Sequence, residues 1–190
     1  MPEVFVFAGC NGSGKSTLAS RLLSSINPSP EFVNADIIAA QLNPNDVDAV
    51  AITASRLMLA RLKTLAGQKV DFAFETTLAA RTFAPFLRKC KAEGYKINLI
   101  YIWLNSPDLA IRRVAGRVDA GGHNIPENVI YRRYYRSIGN FFELYSPLAD
   151  RWIVYDNSNQ RQKITEKPFN QSPIIYQPLI WQQFISSLNP

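Results

Sequence analysis

Apolar positions along the chain follow two alternating rhythms: short, nearly continuous runs, and longer stretches with helical spacing. The run Glu3–Ala8 (EVFVFA) predicts a first strand, and residues 15–25 a helix behind it, ended by the polar break Asn27-Pro28-Ser29-Pro30. Residues 31–34 predict a short second strand. Residues 46–67 predict a helix whose apolar positions include Ile52, Leu57, Leu59 and Leu62, with Gly67 as its stop. A third strand is expected at 70–74 and a helix at 82–93, closed by Gly94. The run 96–104 (KINLIYIWL) is apolar almost throughout, as expected of a strand buried on both faces. Ser106 then Pro107 supply a cap and a first-turn proline for a helix towards Val118. Residues 119–126 (DAGGHNIP) carry two glycines and a proline and predict a mobile excursion. Pro126 opens a further helix to about Leu144, and 151–155 (RWIVY) form a last strand ending in Asp156 and Asn157.

Strand and helix alternate without internal repeats, which predicts an α/β fold: a parallel sheet of about five strands with flanking helices. The expected domain is 1–158. From 159 to 190 the composition turns polar and proline-punctuated (Pro168, Pro173, Pro178), and only 174–176 and 179–188 can pack. This segment reads as a C-terminal appendage of unknown role.

Hydrophobic residues make up 47% of the chain and charged ones 19%, ordinary globular usage that excludes a disordered or fibrous protein. The longest apolar runs fall far short of the roughly 18 residues a membrane span requires, so no membrane association is expected. No basic leader precedes Gly9, and two cysteines, Cys10 and Cys90, are too few for a disulfide framework. Both features fit the cytoplasm. The net charge is +6, and most of the excess lies in Arg112, Arg113, Arg117, Arg132, Arg133 and Arg136, opposed there only by Asp119 and Glu127. Such a cluster suits a phosphorylated ligand, nucleic acid or simply a solvated helix face.

Gly9-Cys10-Asn11-Gly12-Ser13-Gly14-Lys15-Ser16 satisfies G-x-x-x-x-G-K-[ST] between a predicted strand and a predicted helix, the context of a P-loop. Glycines let backbone N–H groups turn inward around phosphate oxygens, and the helix N-terminus adds partial positive charge. Gly9, Asn11, Gly12, Ser13, Gly14, Lys15, Ser16 and Thr17 are therefore the expected nucleotide contacts, with Lys15 on the β and γ phosphates and the Ser16 hydroxyl on Mg²⁺. Cys10 reads as a small filler.

In open α/β sheets ligands lie beyond the carboxyl ends of the strands. The second strand ends in Asn34-Ala35-Asp36 and the third in Glu75-Thr76-Thr77, so two carboxylates and two hydroxyls should converge beside the loop. Asp36 could accept a proton from an acceptor hydroxyl or hold the hydration shell of the metal. Glu75 is either a functional acid or a solvated strand-end acid. The arginine-bearing helices on either side of the Gly-Gly break have the order of a lid closing over phosphates. Arg113 and Arg117 are the candidates for neutralising the transferring group. His123, in the excursion, could contact a phosphate or act as a hydrogen-bonded tether.

Taken in order behind the P-loop, Phe32-Val33-Asn34-Ala35-Asp36, Phe74-Glu75-Thr76-Thr77-Leu78, Gly121-Gly122-His123-Asn124-Ile125-Pro126, Arg132-Arg133-Tyr134 and Tyr155-Asp156-Asn157-Ser158 resemble the zeta-toxin-like P-loop kinases, in particular their stand-alone branch of predicted ATPases. The resemblance covers about residues 3–158. It implies an ATP- and Mg²⁺-dependent kinase that phosphorylates a sugar hydroxyl of a nucleotide-sugar such as UDP-N-acetylglucosamine, and an antitoxin as partner. By matching motif, Lys15 would bind phosphate and Asp36 would be the catalytic base. Glu75, Thr76 and Thr77 would contact the acceptor, together with Arg81, His123 and Arg133. Arg113 or Arg117 would be the arginine before the lid, and Asn157 would join the nucleotide site. The chain has Glu75-Thr76-Thr77-Leu78 where the best-known toxins have Glu-Gly-Thr-Gly, a departure that bears on the acceptor.

Other readings are an acceptor such as a nucleotide or RNA end, or an ATPase without phosphotransfer. A GTPase switch is excluded by the lack of N-K-x-D, and an ABC-type ATPase by the lack of an L-S-G-G-Q-like helix start. No aromatic-interleaved basic sheet speaks for nucleic acid.

Overall fold

The structure, a computed structural model, describes residues 1–119 and 124–188. Strands β1 (Glu3–Ala8), β2 (Glu31–Val33), β3 (Phe72–Thr76), β4 (Lys96–Trp103) and β5 (Arg151–Asp156) form a parallel sheet in the order β2-β3-β1-β4-β5. This is the fold class predicted from the alternating pattern. β4 lies near the middle of the sheet and is buried at every position after Lys96, which is why its sequence lacks alternation.

Each strand feeds two cores through its period of two. Val4, Val6, Leu99, Tyr101 and Trp103 face one core. Helices α3 (Ala51–Gln68), α4 (Phe83–Ala92) and α6 (Glu127–Asn140) contribute Met58, Leu87 and Ile138 to it. Phe7, Ala73, Ile100 and Ile102 face the other, smaller core, filled by Leu18, Ala19 and Leu23 of α1 (Lys15–Leu23).

Several boundaries differ from those expected. β3 starts at Phe72 and runs to Thr76, because its ladder with β1 pairs Phe7 with Glu75 and Ala8 with Thr76. The long helix starts at Ala51, not 46: Asn43 Oδ1 accepts from the Asn45 and Asp46 amides, and Asp46 Oδ1 from the Ala49 amide, a chain of side-chain turns that competes with helix. Its buried stripe is Ala54, Met58, Leu62 and Leu65, whereas Ile52 and Leu57 are exposed. A short helix, α2 (Ala35–Leu42), was not expected. Asn34 caps it by accepting the Asp36 N–H at 2.7 Å. Helix α5 (Pro107–Asp119) precedes the glycine pair, and α6 passes without a break into a π-helical turn, Phe141–Tyr145.

The segment beyond 158, expected to be an appendage, extends the same sheet to seven strands. β6 (Gln162–Lys167) pairs antiparallel with β5, and β7 (Ile174–Ile175) with β6. Helix α7 (Pro178–Ser186) then inserts Phe184, fully buried, within 5.5–5.6 Å of the Tyr101, Trp103 and Phe141 rings. β6 (QKITEK) reads as polar because only Ile164 and Thr165 are buried.

Candidate nucleotide and acceptor site

The loop between β1 and α1 turns through three glycines with positive φ: Gly9 at 142°, Gly12 at 74° and Gly14 at 89°. A Cβ at Gly9 would lie 2.2 Å from the Ile102 carbonyl oxygen, so close approach to β4 as well as φ demands glycine there. Lys15 is buried, and its Nζ donates to the Cys10 carbonyl at 2.9 Å. Ser16 and Thr17 are exposed in the first turn of α1. The Ser13 hydroxyl is buried and has no hydrogen-bond partner among the described residues. Burial pushes the Cys10 thiol up to about 11, so it stays protonated and packs as a filler.

Asn157, at the end of β5, donates from Nδ2 to the Ser13 carbonyl at 2.8 Å. Arg113 donates to the Ser158 carbonyl at 3.1 Å, and its Cβ packs against Gly12. Asp156 Oδ1 accepts from the Ser158 amide and hydroxyl. The Tyr155-Asp156-Asn157-Ser158 motif thus braces the P-loop from β5, and Arg113 braces it from α5.

Glu75 stands beside the P-loop. Its Oε2 accepts from the Ser16 hydroxyl at 2.6 Å and from Asn34 Nδ2 at 3.1 Å, and its Oε1 lies 3.6 Å from Lys15 Nζ. The expectation that Glu75 sits on the acceptor side therefore changes: the carboxylate is tied to the two residues assigned to phosphate and metal. Extending β3 by two residues brings it level with the loop.

A cleft of about 590 Å³ opens over this cluster, lined by Asn11, Lys15, Asp36, Glu75, Thr76 and Thr77 together with Arg117, Arg132, Arg133 and Arg136. Met58, Leu59 and Phe83 supply apolar lining, and Asp48 and Ser55 add polar groups. Arg133 is half-buried, with Nη1 3.5 Å from Asn11 Oδ1. Burial lowers its affinity for its proton and Arg132 adds to this, while the Asp36 and Asp48 carboxylates oppose it.

Of the residues read from sequence, the structure therefore brings Lys15, Asp36, Glu75, Thr76, Thr77, Arg117 and Arg133 into one cleft. Arg113 lies behind the P-loop. Arg81 does not line the cleft. Its Nε donates to Asn140 Oδ1 at 3.3 Å and its Nη2 to Glu143 at 3.1 Å, since the chain after β3 turns it towards the end of α6. His123 lies outside the described residues. Sequence reading did not single out Asn34, Asp48 or Ser55 for the site, nor Arg132 and Arg136 individually. Arg132 and Arg136 had a signal, the i, i+4 spacing that puts them on one face of α6. Asp48 and Ser55 had none.

The comparisons with known proteins agree with this architecture. The sequence family described as an AAA domain matches residues 4–136. An uncharacterised protein of Haemophilus influenzae strain Rd is 31% identical over 132 residues, 70% of this chain and 92% of the relative. The chain superposes over its whole length on a chain of the AvrRxo1-ORF1:ORF2 complex with ATP, with a TM-score of 0.79 and 13% identity, and spans 65% of that chain. It also superposes over its whole length on 86% of a chain from the PezAT chromosomal toxin–antitoxin system of Streptococcus pneumoniae, with a TM-score of 0.65 and 15% identity. At the level of the fold, the resemblance read from the motifs holds. The chain belongs to the AAA-domain family and has the α/β fold of the P-loop kinases.

Proposed function

We propose that this protein is an ATP-dependent kinase of zeta-toxin type, transferring the γ-phosphoryl group to a hydroxyl of a small molecule, with UDP-N-acetylglucosamine as the first acceptor to test. The observation that carries this reading is that Lys15 and Asp36 line one cleft with room beside them for a second molecule.

In this reading the P-loop amides and Lys15 hold the phosphates, as the glycine conformations allow. Asp36, exposed at the start of α2, takes the proton from the acceptor alcohol as its oxygen bonds to the γ-phosphorus. The bond from that phosphorus to the bridging oxygen breaks, and ADP leaves with the electron pair. Arg117 and Arg133, in the same cleft, offset charge on the transferring group. Glu75 restrains Lys15 and Ser16.

The residues beside the loop suit Mg²⁺. Ser16 and Glu75 offer two hard oxygen donors 2.6 Å apart, and Mg²⁺ typically takes one or two carboxylates and fills its shell with substrate phosphates and water. These two side chains would hold the ion, which supplies charge neutralisation on the phosphates.

An antitoxin partner is part of this proposal, since one structural neighbour comes from a toxin–antitoxin system. The deciding experiment incubates the pure protein with labelled ATP and a panel of UDP-sugars, nucleotides and RNA. Label on a UDP-sugar is the expected result. Label on a nucleotide or RNA moves the acceptor, and label only in inorganic phosphate replaces the kinase by an ATPase.

A further inference from the structure

Residues 77–82, between β3 and α4, contribute Thr77, Ala79, Ala80 and Thr82 to the lining of the cleft. This loop is held in an unusual conformation. Leu78, fully buried, has a φ of 56° that a side chain rarely adopts. The hydroxyls of Thr76 and Thr77 accept from the amides of Leu78 and Ala79, at 3.1 and 3.4 Å. Such local bonds do not fix where the loop stands in the molecule.

Two side chains, one at the end of α6 and one in the π-turn that follows it, fix its place. Asn140 Nδ2 donates to the Leu78 carbonyl at 2.6 Å, and its Oδ1 accepts from Arg81. The Tyr145 hydroxyl donates to the Ala80 carbonyl at 2.7 Å, and burial pushes its pKa up to about 12, so it remains a donor. Glu143 pairs with Arg81 at an exposed position, where an ion pair contributes little.

Asn140 and Tyr145 are five residues apart, which on an α-helix would put them about 140° apart, at roughly 100° per residue. The π-helical turn, closed by an i→i+5 bond from the Ser146 amide to the Phe141 carbonyl at 2.8 Å, puts more residues in each turn than an α-helix does, which narrows that angle. π-Turns within helices are rare and concentrate at functional sites. The same α6 contributes Arg132, Arg133 and Arg136 to the lining of that cleft.

We infer that Asn140 and Tyr145 are positioning residues that fix the acceptor wall of the cleft relative to the arginines borne by the same helix, and so set how the acceptor is held. This rests on the kinase reading above.

The test uses the full chain and two variants, Tyr145→Phe, which keeps the ring, and Asn140→Ala. Three quantities are measured: amide exchange across 76–82 by mass spectrometry, affinity for a fluorescent ATP analogue, and kcat and KM with UDP-N-acetylglucosamine as acceptor probe. In both variants exchange across 76–82 should speed up about tenfold, as for loss of one buried hydrogen bond, while nucleotide affinity stays within about twofold. Acceptor KM should rise on the order of tenfold and outweigh any change in kcat. Unchanged exchange in both variants overturns the inference, as does a fall in nucleotide affinity matching the acceptor effect. Should the wild-type chain transfer nothing to this probe, the acceptor named above fails before any variant is made. The positioning inference is then decided by exchange and nucleotide affinity alone.

Discussion

At the P-loop the protein presents backbone to the cleft. The P-loop shapes itself within eight residues through glycines that no other residue could replace at Gly9 without meeting the Ile102 carbonyl, and Lys15 folds back onto the loop's own Cys10 carbonyl. The wall at 77–82 has few such local means. It is a strained loop held by Asn140 and Tyr145, some 60 residues further along the chain. A phosphate tail presents the same oxygens in every nucleotide, so a rigid local cradle suits it. An acceptor differs from one kinase to the next. A wall set by a few exchangeable side chains can change without disturbing the cradle.

The largest expected effect tests the backbone side. Lys15→Ala should lower phosphotransfer by at least about 10³-fold, a loss of charge stabilisation that the remaining amides cannot replace. An active alanine variant, read with labelled ATP, would remove the loop from its assigned role. Asp36→Asn strikes the boundary between the walls. It should lower kcat by roughly 10² to 10⁴ while the dissociation constant for ATP stays near its wild-type value. Equal losses in both would place Asp36 with the nucleotide.

Phe184→Ala tests the support behind the arginine-bearing helix. The ring packs between β4 and the π-turn, so its removal should cost about 3–5 kcal/mol in urea denaturation, the range for a buried aromatic. A change below about 1 kcal/mol would make the segment beyond 158 the appendage that its composition suggests.

The smallest effect is one of pH. Burial raises Cys10 and Cys90 from 9.0 to about 11 in the folded chain. Their contribution to stability is complete below pH 9, where both states hold the proton, and is lost as pH rises from 9 towards 11, where only the unfolded thiols ionise. Denaturation midpoints should hold steady from about neutral pH to pH 9 and fall above it. The fall should be shallower in Cys10→Ala, and an identical profile in that variant would locate the titration elsewhere.

Much of this was legible in the amino-acid order because it is local. The P-loop, β1, β4 and the arginine helices announce themselves by spacing, since glycine conformation, strand burial and helical period act over a few residues. The positions of Asp36 and Arg117 at the cleft also followed, because strand ends and the crossover after β4 converge on one edge of a parallel sheet. Arg81 and Glu75 were harder to place. Their motif was visible, but which partner each would take depended on register: two more residues in β3 move Glu75 to Ser16, and the turn at Leu78 sends Arg81 to Asn140 and Glu143.

The chain order by itself determined the anion cradle, the layered α/β class and the identity of the charged groups, since each follows from short-range sterics and periodicity. Only the tertiary structure decided that residues 162–167 and Phe184 complete the sheet and core. It also decided that Asn140 and Tyr145, on either side of the start of the π-turn, bond the β3–α4 loop. Those outcomes rest on long-range pairing, in which a polar strand or a single ring gains its place from the apolar surface and unpaired backbone groups that the rest of the fold leaves for it.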